Sequence, residues 1–174
     1  HGIGSATAGG CNVTDNICRS NTQSGIEMYD WFNSVIARNV FASNGTYGLN
    51  LIGPNSTNNV FVQNTFDSNA TYQIRMATNG GEPSGDTFLK NNILPSPSNP
   101  DSAVYNNTVN KFDFSRNYWN NTDSAGIRKK IGIGADSIVY SPFRLGLVDT
   151  PAGGDSPAPK APDSVAIAVS PSDT

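Results

Sequence analysis

One short phrase recurs at a near-constant interval: NICRSN at Asn16 to Asn21, NVFASN at Asn39 to Asn44 and NTFDSN at Asn64 to Asn69. The leading asparagines, at 16, 39 and 64, are 23 and then 25 positions apart. A period in that range marks a solenoid, in which each repeat buries its apolar face only against its neighbours. Such a chain builds a long flat surface first, and any chemistry must be sought on that surface separately.

The repeat extends beyond its six-residue phrase. Upstream runs an alternation, Val35 to Asn39 in one copy and Val60 to Asn64 in the next. Downstream comes a second: Gly25-Ile26-Glu27-Met28, Gly48-Leu49-Asn50-Leu51 and Gln73-Ile74-Arg75-Met76. Alternation with period two means strands, and no stretch sustains a helical period. Stacking the copies gives apolar columns. One holds Cys18, Phe41, Phe66 and Ile93; another holds Val35, Val60 and Thr87; a third holds Ile26, Leu49 and Ile74. The leading asparagines form a column of their own, Asn16, Asn39, Asn64, Asn91 and Asn117. Rungs stack at about 4.8 Å, so each side-chain amide can donate to the carbonyl of the next. Its remaining atoms bond the turn backbone. Asparagine also accepts the left-handed conformations that tight turns require.

The pattern V-x-N-x-F-x-x-N followed by G-I/L-x-L/M resembles the right-handed parallel β-helix repeat of the pectin-lyase-like superfamily. It is most similar to the Asn-rich version in NosD-like and other cell-surface β-helix proteins. The stretch from Asn117-Tyr118-Trp119-Asn120 through Ile138-Val139-Tyr140-Ser141-Pro142-Phe143 resembles the segment that closes such helices, with Asn120 where that family usually has Gly. The resemblance implies an all-β, right-handed parallel β-helix of four to five rungs over residues 1–145. Insertions are expected in the fourth rung, at Thr78 to Asp86 and Pro95 to Ser102. A Pro/Gly-rich linker follows at 146–163. Residues 164–174 alternate like, and resemble, the first strand of a bacterial-type Ig-like domain. His1 to Gly10 lead straight into a repeat with no evident cap, so a piece of a longer protein is expected. The superfamily includes lyases, hydrolases, adhesins, phage spikes and structural proteins, so the fold does not settle the function.

Composition narrows the classes. Only 14% of residues are charged and the net charge is −3. No basic stripe exists to neutralise phosphates, which argues against a nucleic-acid partner. No apolar run approaches a membrane span. The expected partners are other protein subunits, further domains of the same longer chain, and glycans.

Two cysteines stand seven residues apart, Cys11 and Cys18. Cys18 falls in the Phe41 column, which reads as a buried thiol. Outside the cell a disulfide is the alternative, closing a loop for roughly 2 to 3 kcal/mol. Sequons begin at Asn12, Asn44, Asn55, Asn69, Asn106 and Asn120, and their density points to an extracellular or cell-surface location. Asn44 and Asn69 are also the second asparagine of the repeat phrase and would point inward. Asn12, Asn55, Asn106 and Asn120 are the better glycan acceptors, in expected loops.

An enzyme of this superfamily would need clustered carboxylates with a basic residue. Glu27, Asn50 and Arg75 share one outward column, and Asp30 lies just beyond Glu27. A glycosidase pair sits within about 5 to 10 Å, and Glu27 with Asp30 is the weak candidate. Their ordinary reading is a solvated strand edge. No metal set is expected, because His1 is the sole histidine and Met28 and Met76 fall in inner columns; no cofactor is expected either. Tyr47 and Tyr72 occupy equivalent positions, and Trp31 lies in the first long loop; exposed aromatic faces there would stack on sugar rings. The residues therefore favour a non-catalytic structural or adhesive module. A polysaccharide-binding or polysaccharide-cleaving β-helix (lyase- or hydrolase-like), or a phage or viral spike fragment, is the alternative.

Overall fold

The computed structural model describes residues 1–149. The chain winds through four parallel sheets in a fixed order. From Ile26–Tyr29 it passes to Trp31–Phe32, then Val35–Ala37, then Val40–Ala42, and re-enters the first sheet at Tyr47–Ile52. The first sheet has five strands, Ile3–Ser5, Ile26–Tyr29, Tyr47–Ile52, Tyr72–Ala77 and Val104–Asn107. The others have two, six and four strands. Every strand pair is parallel. The architecture is a parallel β-solenoid of five turns.

Two of the expected apolar columns are inward. Phe41, Phe66 and Ile93 are fully buried in register, as are Ile26, Leu49 and Ile74. The third is not. Val35, Val60 and Thr87 do align, but Val60 is exposed and the inward residues are Ile36, Phe61 and Phe88. Adjacent apolar residues such as Val35 and Ile36 leave the phase of a period-two pattern ambiguous, and a slip of one residue exchanges the faces. The interior is an aromatic stack: Phe61 on Phe88 at 4.5 Å, Phe88 on Phe114 at 4.1 Å, and Phe114 against Trp119 at 5.9 Å.

The corners carry three polar ladders. In the first, Oδ1 of Asn39 accepts from both the backbone N (3.0 Å) and Nδ2 (3.0 Å) of Asn16. The same pair of bonds repeats from Asn39 to Asn64, Asn64 to Asn91 and Asn91 to Asn117. A second ladder joins Asn21, Asn44 and Asn69. It ends on Gln73, whose Oε1 accepts from Asn69 N and Nδ2. A third runs from the backbone of Cys11 to Ser34, Asn59 and Asp86. The left-handed residue is not the ladder asparagine but the one before it. Asp15, Arg38, Gln63, Lys90 and Arg116 have φ between 54° and 61°, and Ser20, Ser43 and Ser68 between 52° and 57°. A non-Gly residue there costs roughly 1–2 kcal/mol, which the buried ladder bonds offset.

Gly25 and Gly48 stand against the second ladder for steric reasons. A Cβ on Gly48 would sit 2.6 Å from the Gln73 carbonyl oxygen and 2.8 Å from Asn69 Nδ2. Gln73 takes the equivalent place one turn later, where the ladder stops and its own side chain closes it. Gly48→Ala is therefore expected to destabilise by about 2 kcal/mol, read as a lower urea midpoint with an unchanged m-value.

The later turns lengthen. Thirty positions separate Ile74 from its partner Val104, against 23 between Ile26 and Leu49, because of the two insertions. Asn120 adopts φ 50°, so it supplies the left-handed turn usually given by Gly. The closing segment also contains a short helix, Ser124–Lys129, absent from the expectation. Asp123 caps it by accepting from Gly126 N at 2.7 Å, and Ile127 is fully buried. A helix this short has no periodicity to detect. The linker from residue 150 onward and the strand expected over 164–174 lie outside the described residues.

Candidate functional site on the outer face of the five-stranded sheet

The five-stranded sheet presents an outward surface whose side chains are set by strand register. Gly4, Glu27, Asn50, Arg75 and Tyr105 form one row along the stack, with Tyr47 and Tyr72 paired beside it. Its three middle members are linked. Asn50 Nδ2 donates to Glu27 Oε2 at 2.8 Å, and Arg75 Nη1 donates to Asn50 Oδ1 at 2.7 Å. The Arg75 guanidinium lies 5.3 Å from the Tyr47 ring centroid, and Tyr72 packs on Tyr105 at 5.0 Å. His1 Nε2 approaches Glu27 Oε1 at 3.5 Å. Because Gly4 adds no side chain, a shallow depression of about 660 Å³ opens beside Glu27, bordered by Ser5, Tyr29, Ile52 and Asn79.

Glu27 and Asp30 stand in different surroundings, one on the outer row and the other buried. Glu27 is tied into the row with 31% of its side chain exposed. Asp30 is buried, has φ 57°, and accepts from Asn55 N at 2.9 Å through Oδ1. It braces a turn against Gly53, where a Cβ would fall 2.4 Å from that same oxygen. Trp31 is likewise removed from the sugar-contact candidates. It is 4% exposed, with its indole N–H donated to the Ser5 carbonyl at 3.1 Å, because its strand turns the ring into the core. Tyr47 and Tyr72 do lie on the outer face, half-buried. Tyr105 joins them, and the sequence hides it behind the long fourth turn.

Of the sequon asparagines, Asn12, Asn55 and Asn120 are exposed. Asn44 and Asn69 are buried in the second ladder. Asn106 is a correction: it is fully buried in register with Met76, its Nδ2 donating to Asn110 O and its Oδ1 accepting from Thr108. The strand that follows the fourth-turn insertion carries it inward. Cys11 and Cys18 are free thiols, not a disulfide. Cys18 sits mid-strand in the Phe41 column, where burial pushes its thiol pKa up, while Cys11 stands at the corner that opens the third ladder.

These features define a class: an extended β-solenoid whose repeat polarity is internal and whose outer strip is aromatic and hydrogen-bonding. A family model described as periplasmic copper-binding protein (NosD) matches residues 1–131. The chain belongs to the NosD family, and its place is extracellular or at the cell surface. No curated protein and no solved structure matches it. No helix among the described residues is long and apolar enough to cross a membrane.

The family description raises copper, and the donors of this chain do not fit it. Soft thioether and thiolate ligands suit copper(I), imidazole and tetragonal N,O sets copper(II). Met28 and Met76 have no exposed surface and stand on either side of Leu51 in one core column. Burial disfavours the thiolate of Cys18, and the His1 ring leans on Glu27. Among the described residues no three of His, Cys, Asp and Glu converge.

Proposed function

We propose that this chain is a non-catalytic structural and adhesive module of a cell-surface protein, with the outer side of the five-stranded sheet as its contact face. The observation that carries this reading is the burial of Asp30. It leaves Glu27 without the second carboxylate that acid–base hydrolysis of a glycosidic bond requires, and Asn50 already occupies one Glu27 oxygen. The buried asparagines of the repeat are consumed by the ladders. What stays available is a rigid strip of tyrosines beside one guanidinium, suited to contact over a long, flat partner.

A polysaccharide partner is the second reading, favoured by the aligned rings of Tyr47, Tyr72 and Tyr105. A glycan array probed with the intact chain tests both. Saturable binding that Tyr47→Ser with Tyr72→Ser weakens by about tenfold or more, at unchanged melting temperature, supports a sugar-contacting face. Binding unaffected by the double substitution removes this face from the account.

A further inference from the structure

The third ladder ends on a carboxyl group. Its corner residues are Cys11, Ser34, Asn59 and Asp86, each one position before a registered strand residue, and the same column continues with Phe112. Asp86 is 4% exposed. Its Oδ1 behaves as a ladder oxygen, accepting from Asn59 N at 2.8 Å and Nδ2 at 2.9 Å. Its Oδ2 is buried and has no hydrogen-bond partner.

The ladders show what that second atom should meet. Where asparagine stands, the atom is Nδ2, and it donates to the carbonyl three residues before the ladder position one turn earlier. Asn39 donates to Val13, Asn64 to Ile36, Asn91 to Phe61 and Asn117 to Phe88. Asn44 donates to Cys18, Asn69 to Phe41 and Asn59 to Trp31. By the same register the carbonyl for Asp86 is that of Ser56. That oxygen accepts from Ser84 N at 2.9 Å, just as the Trp31 oxygen accepts from Thr57 N at 3.0 Å beside the Asn59 amide. A second lone pair is thus open on Ser56. An ionised Oδ2 would set two acceptors against each other in a buried corner, whereas a protonated one completes the pattern.

We propose that Asp86 carries a structural proton on Oδ2, donated to the Ser56 carbonyl, which makes this corner a pH-sensitive clasp for the 78–86 insertion. The proton plays the part that an amide hydrogen plays at every other asparagine corner. Burial, the main influence on this group, raises its pKa to about 7, while the two Asn59 bonds pull it down. No charge offsets the burial. The preceding strand carries none from Asn58 to Gln63. On the following one, Lys111 and Asp113 flank Phe112 and are exposed. On its own loop, Glu82 is engaged with Val109 N.

The folded pKa exceeds the unfolded value of about 4, so folding takes up a proton. The clasp's contribution is therefore complete in acid, declines as pH rises above about 4, and is gone once pH passes the folded value. The test compares the intact chain with Asp86→Asn, which supplies a permanent donor. Urea midpoints measured from about pH 5 to about pH 8.5 should fall steeply for the unsubstituted chain and stay level for the variant. Any share from His1 is common to both proteins and cancels. Carbon-13 NMR of the Asp86 carboxyl should show titration near neutrality. A carboxyl that titrates in the ordinary acid range, or a variant with the same pH slope, overturns the proposal.

Discussion

Asn64→Leu is expected to cost the solenoid about 4 kcal/mol, enough to unfold much of the population of a marginally stable domain. Asn64 is fully buried at the centre of the first ladder. Its Oδ1 takes two donors from Asn39, and its Nδ2 serves the Ile36 carbonyl and Asn91 Oδ1 at 2.8 and 3.1 Å. Leucine fits the volume and satisfies none of these groups, so the buried backbone N–H of Asn39 is left without an acceptor. The same change at Asn16 is a control. Asn16 is half-buried and its side chain donates only to Thr14 O and Asn39 Oδ1, so about 1 kcal/mol is expected. Urea unfolding of the two variants measures the difference. Equal losses would mean that the ladder contributes through its ends and not through its buried interior.

Phe88→Ala is expected to destabilise by about 4 kcal/mol as well, by a different cause. Its ring lies between Phe61 and Phe114 and meets Phe112 edge-on at 6.4 Å, so truncation removes contacts to the turns on both sides at once. A solenoid cannot collapse around such a void without shortening its stack, because the rung spacing is fixed by backbone hydrogen bonds. Phe88→Leu keeps most of the volume and should lose about 1 kcal/mol. Calorimetric melting of both variants checks the ranking. A small effect for alanine would show that the aromatic stack is loosely packed.

The solenoid is legible in the sequence because stacking forces equivalent residues into equivalent environments. The Asn16 to Asn117 column and the Phe41, Phe66 and Ile93 column need only alignment of the copies. The parts that escaped share a physical reason. The left-handed positions that precede the first ladder are filled by Asp15, Arg38, Gln63, Lys90 and Arg116, which carry no glycine or asparagine signature. The third ladder mixes Cys11, Ser34, Asn59 and Asp86, so no residue type announces it, although one carboxyl does the work of an amide. Asn106 and Tyr105 follow a turn lengthened by insertions, which breaks the period used to align them. Trp31 and Asp30 look like exposed loop chemistry in sequence, and only packing shows that both are structural.

The candidate site divides the same way. The Glu27, Asn50 and Arg75 column is readable from spacing alone, whereas its bonding into a single relay is not. That bonding is the basis on which a contact face is proposed. It holds the one outward carboxylate of the row against an amide, with no second carboxylate to complete an acid–base pair.

The most direct test of the module reading is a turnover screen of the intact chain on neutral, acidic and amino polysaccharides. New reducing ends and unsaturated products would be measured alongside a Glu27→Gln variant. The expected result is no turnover by either protein on any polymer. Cleavage by the unsubstituted chain that Glu27→Gln abolishes would contradict the account and make the outer row an active site.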